Sequence, residues 1–128
     1  MEERLYTDTW GLHATTTDLR FLGDIGSRVT LGPHVRLHSQ TPVSFWERAY
    51  VSKGPTDLPA LRTGDRELGP LTSISGGTYL RVYLGISGDP HSVAVGLDTF
   101  VTYSSYPDDI YLQSRLAGLG AFTFEVSF

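Results

Sequence analysis

The chain has 128 residues with 10 Lys and Arg, 14 Asp and Glu, a formal net charge of −4, 40% hydrophobic residues and no cysteine. One core-forming domain is the expectation at this length, and the aromatic and aliphatic content excludes intrinsic disorder. The absent cysteine excludes disulfides, thiolate metal sites and cysteine nucleophiles, while scattered arginines in an acidic chain disfavour nucleic-acid binding.

Fourteen Gly and seven Pro spread without a period fit turns between short strands better than helices. Leu5 to Phe21 is rich in Thr and aromatics with Gly11 in its middle, so it reads as two short strands or one bulged strand. A turn follows at Gly23-Asp24-Ile25-Gly26. In Arg28 to His38, Val29, Leu31, Val35 and Leu37 share one parity, and Arg28, Thr30, His34, Arg36 and His38 the other, as on a half-buried strand. Gly32-Pro33 interrupts that ladder and marks a bulge, an edge or a bend.

Val43 to Val51 reads as a further strand carrying Val43, Phe45, Ala49 and Val51 on one side and Trp46, Arg48 and Tyr50 on the other. Lys53 to Gly77 is the least regular stretch, with Pro55, Pro59 and Pro70 among several glycines, but Leu58, Leu61, Leu68, Leu71 and Ile74 recur through it. So much aliphatic material argues for an ordered arm rather than a disordered linker. Three prolines pre-extend it, and the expectation is a clasp lying along another subunit.

The clearest stretch is Gly76 to Val95. Leu80, Val82, Leu84 and Ile86 alternate with Tyr79, Arg81, Tyr83 and Gly85; Ser87-Gly88-Asp89-Pro90 supplies turn chemistry; Val93, Val95 and Leu97 resume the alternation. This predicts a β-hairpin whose aliphatic face is core and whose Tyr79-Arg81-Tyr83 row points outward. Phe100 to Tyr103 extends the second strand, Ser104 to Asp109 is a loop, and the segment from Ile110 to Gly120 is open between strand and helical turn. Phe122, Phe124, Val126 and Phe128 then fall on one face of a final strand. Each such side chain is worth roughly 1.5 to 3 kcal/mol if buried, so truncation there is expected to abolish folding.

The chemistry-bearing residues form no motif. His34 and His38 lie four apart on one strand face, about 13 Å, too far to share a metal ion. Asp89 and Asp108 have turn or cap roles; no nucleophile elbow or phosphate-binding glycine loop is present. The expectation is therefore a non-enzymatic protein with no cofactor, no metal site and no nucleic-acid or membrane partner. The rows Trp46-Arg48-Tyr50 and Tyr79-Arg81-Tyr83 have the composition of interface anchors, and with Leu58, Leu61, Leu68 and Leu71 they are the candidate interaction residues.

Seven or eight short strands in this length predict an all-β antiparallel sandwich or jelly-roll-like domain, 1–128, with the arm at 53–77. The function expected is a structural assembly protein, a virion or particle component of decoration or tail type that contacts copies of itself. The alternative is a carbohydrate- or ligand-binding module. The start, MEERLYTDTW, lacks the apolar segment of a secretory signal, and no apolar run has the ~20 residues of a spanning helix. The expected location is a virion or extracellular particle, otherwise the cytoplasm.

Overall fold

The computed structural model describes residues 1–52, 54, 57–85 and 93–126. Seven strands follow one another: β1 (Glu2–Thr7), β2 (His13–Arg20), β3 (Gly23–Ile25), β4 (Val29–Gln40), β5 (Leu71–Tyr83), β6 (Val93–Ser105) and β7 (Ser114–Val126), with one 3-10 turn at Arg66–Leu68. The all-β antiparallel expectation holds. Its finer form, two stacked sheets, is not seen among the described residues: the strands are hydrogen-bonded into one sheet in the order β1-β2-β4-β5-β6-β7, with β3 also on β4. Each long strand pairs with its predecessor in the sheet, so the described chain meanders through a single layer.

Local chemistry explains the short elements. Asp8 Oδ1 accepts from the backbone N–H of Trp10 (2.9 Å) and of Leu12 (3.0 Å), and Gly11 takes φ +84°, closing the turn that separates β1 from β2. Gly32-Pro33 stands where β4 changes its neighbour: Val29 to Leu31 pair with β3 and His34 to Gln40 with β2. A residue without an N–H is best tolerated at such a handover.

The register fixes what each face carries. On β4 to β7, Val29, Val35 and Leu37 face the same side as Val82, Gly76 and Ile74, which face Val95, Val101 and Tyr103, and these in turn face Phe124, Gly118 and Leu116. The alternations read from the sequence therefore have the right parity. Their destination is different. Leu31, Val35, Leu37, Ile74, Leu97, Val101, Leu116, Phe122 and Phe124 are all exposed, Phe122 at 70% and Phe124 at 64%. The expected core face of the hairpin and of the C-terminal strand is an uncovered surface, because among the described residues no second layer packs on it. Phe128 and the predicted Ser87–Pro90 turn lie outside the described residues, but the β5–β6 pairing that flanks the turn is formed.

The buried core is small and lies at one end of the sheet. It consists of Leu12, Ala14 and Val43, with Phe45, Trp46 and Leu68 packed against it. Two further expectations are corrected here. Val43 to Val51 is not a strand: it belongs to the connection between β4 and β5, residues 41–70, with a single parallel bridge from Trp46 to Thr63. The arm begins earlier than expected and ends earlier, since Leu71 to Gly77 are the first half of β5.

Candidate functional site

The face opposite the apolar one carries the polar side chains. Its positions are Asp18 and Arg20 on β2, His34, Arg36, His38 and Gln40 on β4, Tyr79, Arg81 and Tyr83 on β5, Asp98 and Phe100 on β6, and Arg115 and Glu125 on β7. On β4 to β7 every Asp, Glu, Lys and Arg of the described strands lies on this face, and none on the other. We call it the inner face.

At its middle is a basin of about 490 Å³ lined by Asp18, Arg20, His34, Arg36, Tyr79 and Asp98 over Phe100 and Leu119. Arg20 grips Asp18 through Nε (2.9 Å) and Nη2 (3.1 Å), a bidentate pair that holds both charges in place. His34 stacks on Phe100 with ring centroids 5.3 Å apart and planes 26° from parallel. The residue between them in the register is Gly77. A Cβ there would run into the carbonyl oxygen of Thr99 and lie 2.8 Å from His34 Nε2, so glycine lets the two rings meet across β5. Toward the far end, Arg81 pairs with Glu125 of β7, its guanidinium carbon 4.8 Å from the centroid of the Tyr83 ring.

The near end is crossed by the β4–β5 connection. Its two limbs, Val43 to Tyr50 and Thr63 to Gly69, are stapled together: Trp46 Nε1 donates to the Asp65 carbonyl (2.9 Å), the Val43 N–H to the Leu68 carbonyl (3.0 Å), and the Tyr50 hydroxyl accepts from the Thr63 N–H (3.1 Å) while donating to the Phe45 carbonyl. Gly69 sits under the Trp46 ring, where a Cβ would lie 2.7 Å from Cε2. Gln40 Nε2, on the inner face, donates to the carbonyls of Glu67 (2.8 Å) and Gly69 (2.9 Å).

The residues expected to form interaction rows separate. Tyr79, Arg81 and Tyr83 do form one row, half-buried on the inner face rather than pointing outward from a core. Trp46 and Tyr50 are internal staples of the connection and Arg48 is exposed. Of the four leucines, Leu68 packs on Leu12, Ala14 and Val43 of its own fold, Leu61 is exposed, Leu58 is half-buried and Leu71 opens β5; for Leu68 the clasp is a cover. Asp18, Arg20, Arg36, Asp98 and Phe100 were not singled out by sequence. The usable signal was that charges on successive strands share one parity.

A single antiparallel sheet with an uncovered apolar face and a charged inner face is the class of structure defined so far. Residues 1–127 match the model of the family described as "Protein of unknown function (DUF3570)", and the chain belongs to that family. No curated protein and no solved structure matches it.

Proposed function

We propose that this sheet is part of the wall of a transmembrane β-barrel, its apolar face against lipid and its inner face toward an aqueous lumen. One observation carries the reading: across four consecutive strands all charge lies on one face and the other is continuously apolar, glycine or hydroxyl-bearing. The apolar stretches run from Val29 to Leu37, Ile74 to Val82, Val93 to Tyr103 and Leu116 to Val126, each matching the ~9–11 residues of a spanning strand. Strands of 12 or 13 residues are about 40–44 Å long at ~3.4 Å per residue, and a ~45° tilt reduces their rise to about 30 Å, the thickness of a bilayer's hydrocarbon layer. No helix of the described residues is long and apolar enough to cross a membrane.

Lipid also explains what water does not. Exposed apolar patches of this extent are rare on soluble monomers, and the 30-residue connection 41–70 lies at the same end of the sheet as the β1–β2 and β6–β7 connections. In hydrocarbon every backbone group must be paired, so the free edges of β1 and β7 are closed by strands outside this sheet, from copies of the chain or from further sequence. The role is non-enzymatic, a conduit or a scaffold. The particle-component reading survives in one form, in which protein rather than lipid covers the apolar face.

The native chain has no cysteine, which makes spin labelling clean. Labels on Val101→Cys and Thr102→Cys, neighbours on opposite faces of β6, are expected to differ after reconstitution into vesicles: the first accessible to oxygen, the second to a water-soluble nickel chelate. Equal access at both, or a label at 101 immobilised in a lipid-free soluble assembly, would overturn the membrane reading and return the particle one.

A further inference from the structure

The β4–β5 connection is anchored at three separate places along the near end of the sheet. At the β1–β2 turn and the start of β2, Val43 and Leu68 bury Leu12 and Ala14, the Ser44 N–H donates to the Trp10 carbonyl (2.7 Å), and Phe45 meets Trp10 edge-on at 5.8 Å. At β4, Gln40 holds the carbonyls of Glu67 and Gly69; its own Oε1 lies 3.3 Å from His38 Nε2, and His38 Nδ1 lies 2.8 Å from Thr16 Oγ1. Beyond the end of β6, the Arg66 guanidinium lies 5.9 Å from the centroid of the Tyr106 ring, and Tyr106 is itself buried.

Ala14 and Gln40 have inner-face parity, and Tyr106 continues the inner parity of β6. A connection that meets the β1–β2 turn and Ala14, then Gln40 on β4, then Tyr106 just past β6 lies across the whole near end of the sheet. We infer that the two limbs, Val43 to Tyr50 and Thr63 to Gly69, form a strap across the mouth of the lumen and set the size of the polar solute that enters the basin below it. The inference rests on the barrel reading.

The basin holds both signs of charge, Arg20 and Arg36 with Asp18 and Asp98. Selection by the strap is therefore by size more than by the sign of the solute's charge. The class of solute is small and polar with some apolar surface of its own, since six polar or charged side chains line the basin beside five apolar ones.

The test is planar-bilayer conductance and polymer-exclusion measurement on the reconstituted full chain, with neutral polyethylene glycols of graded size as probes. Gln40→Ala removes both side-chain bonds to the strap, and Trp46→Ala removes one of the staples between its limbs, the bond to the Asp65 carbonyl. Both variants are first checked for wild-type β-type circular dichroism and membrane insertion. Gln40→Ala, a single-side-chain change at the end of a strand, is the milder of the two and stands in if Trp46→Ala misfolds.

The expected result is a severalfold rise in single-channel conductance and a cut-off shifted to larger polymers, with cation-to-anion selectivity little changed. Inserted, conducting variants with wild-type conductance and cut-off would overturn the strap. So would a wild-type chain that inserts but does not conduct and stays closed in both variants, because the lumen would then be blocked elsewhere. Failure of the chain to insert at all refutes the barrel reading instead, and the two failures are told apart by the insertion assay.

Discussion

The two faces of β4 to β7 are made from the same strands at alternate residues, and they obey different rules. On the outer face Val, Leu, Ile and Phe stand exposed with Gly76, Gly118 and Gly120 between them, and the one side-chain bond seen there among the described residues, from Thr99 Oγ1, goes to a backbone carbonyl. On the inner face the contacts are specific: Arg20 on Asp18, Arg81 on Glu125, His34 on Phe100, Thr102 Oγ1 on Ser75 Oγ at 2.9 Å. An apolar face needs only the right polarity and tolerates exchange among residues of similar character, whereas a polar face at close quarters needs partners. The outer face should therefore be sensitive to charge and indifferent to shape, and the inner face the reverse.

The largest expected effect breaks the polarity rule. Val101→Arg puts a guanidinium near the middle of the outer face and should cost about 2–4 kcal/mol of folding stability in vesicles. Ala117→Arg, one strand over on the inner face, should cost well under half as much. Denaturant titration of both in the same lipid measures the difference, and equal costs would erase the distinction between the faces.

The next effect concerns shape. Gly77→Ala drives a methyl group into the Thr99 carbonyl and the His34 ring and should cost about 1–3 kcal/mol, the range of overpacking. Gly118→Ala on the outer face meets nothing closer than 3.8 Å, so it should be neutral or slightly stabilising through the lost freedom of the unfolded chain. Midpoints from the same titration decide. Smaller again is Glu125→Gln, which removes the ion pair that joins β5 to β7 across β6. With Glu125 more than half exposed, the cost should be at most about 1 kcal/mol and should shrink as salt is added.

The smallest effect is local and lies in the β6–β7 loop. The backbone N–H groups of Leu112 (2.7 Å) and Tyr111 (2.8 Å) donate to Asp109 Oδ1, and these bonds hold the Asp109 carboxyl below the usual aspartate range. A depressed folded value means the unfolded loop binds a proton first as pH falls. The stabilisation is thus complete above about pH 4, the ordinary aspartate value, and disappears as pH drops through the lower folded value. Amide exchange at Tyr111 and Leu112 should quicken over that window in the wild type and be pH-insensitive beyond intrinsic chemistry in Asp109→Asn.

Much of the architecture was legible before the structure. Val29 to Leu37, Leu80 to Val82, Val93 to Leu97 and Phe122 to Val126 have the parity the register confirms, since period-two alternation is a property of the strand itself. Which solvent the apolar parity meets was not legible. A strand buried on one side in a sandwich and a strand facing lipid have the same alternation, and they separate only when the register shows whether anything covers the sheet. Val43 to Val51 misled for a different reason: Trp46, Arg48 and Tyr50 alternate by accident, with Trp46 and Tyr50 spent on hydrogen bonds to Asp65, Phe45 and Thr63 that no local pattern announces. The basin escaped notice because Asp18, Arg36 and Asp98 come from three strands and meet only through long-range pairing.

The sheet's two borders are unequal, six residues on β1 against thirteen on β7. A strand arriving at β7 finds about twice the length of open ladder that it finds at β1, and loop-closure entropy is repaid sooner where more bonds form per encounter. On the barrel reading, growth of the sheet is polarised: β7 is the border that recruits, β1 the one that is sealed last. In water the same border is an adhesive edge, because it is long and carries exposed Phe122 and Phe124. Chains held in water at high concentration would lengthen into irregular stacks through β7, and the practical defence is to keep them dilute or in detergent until that border is occupied.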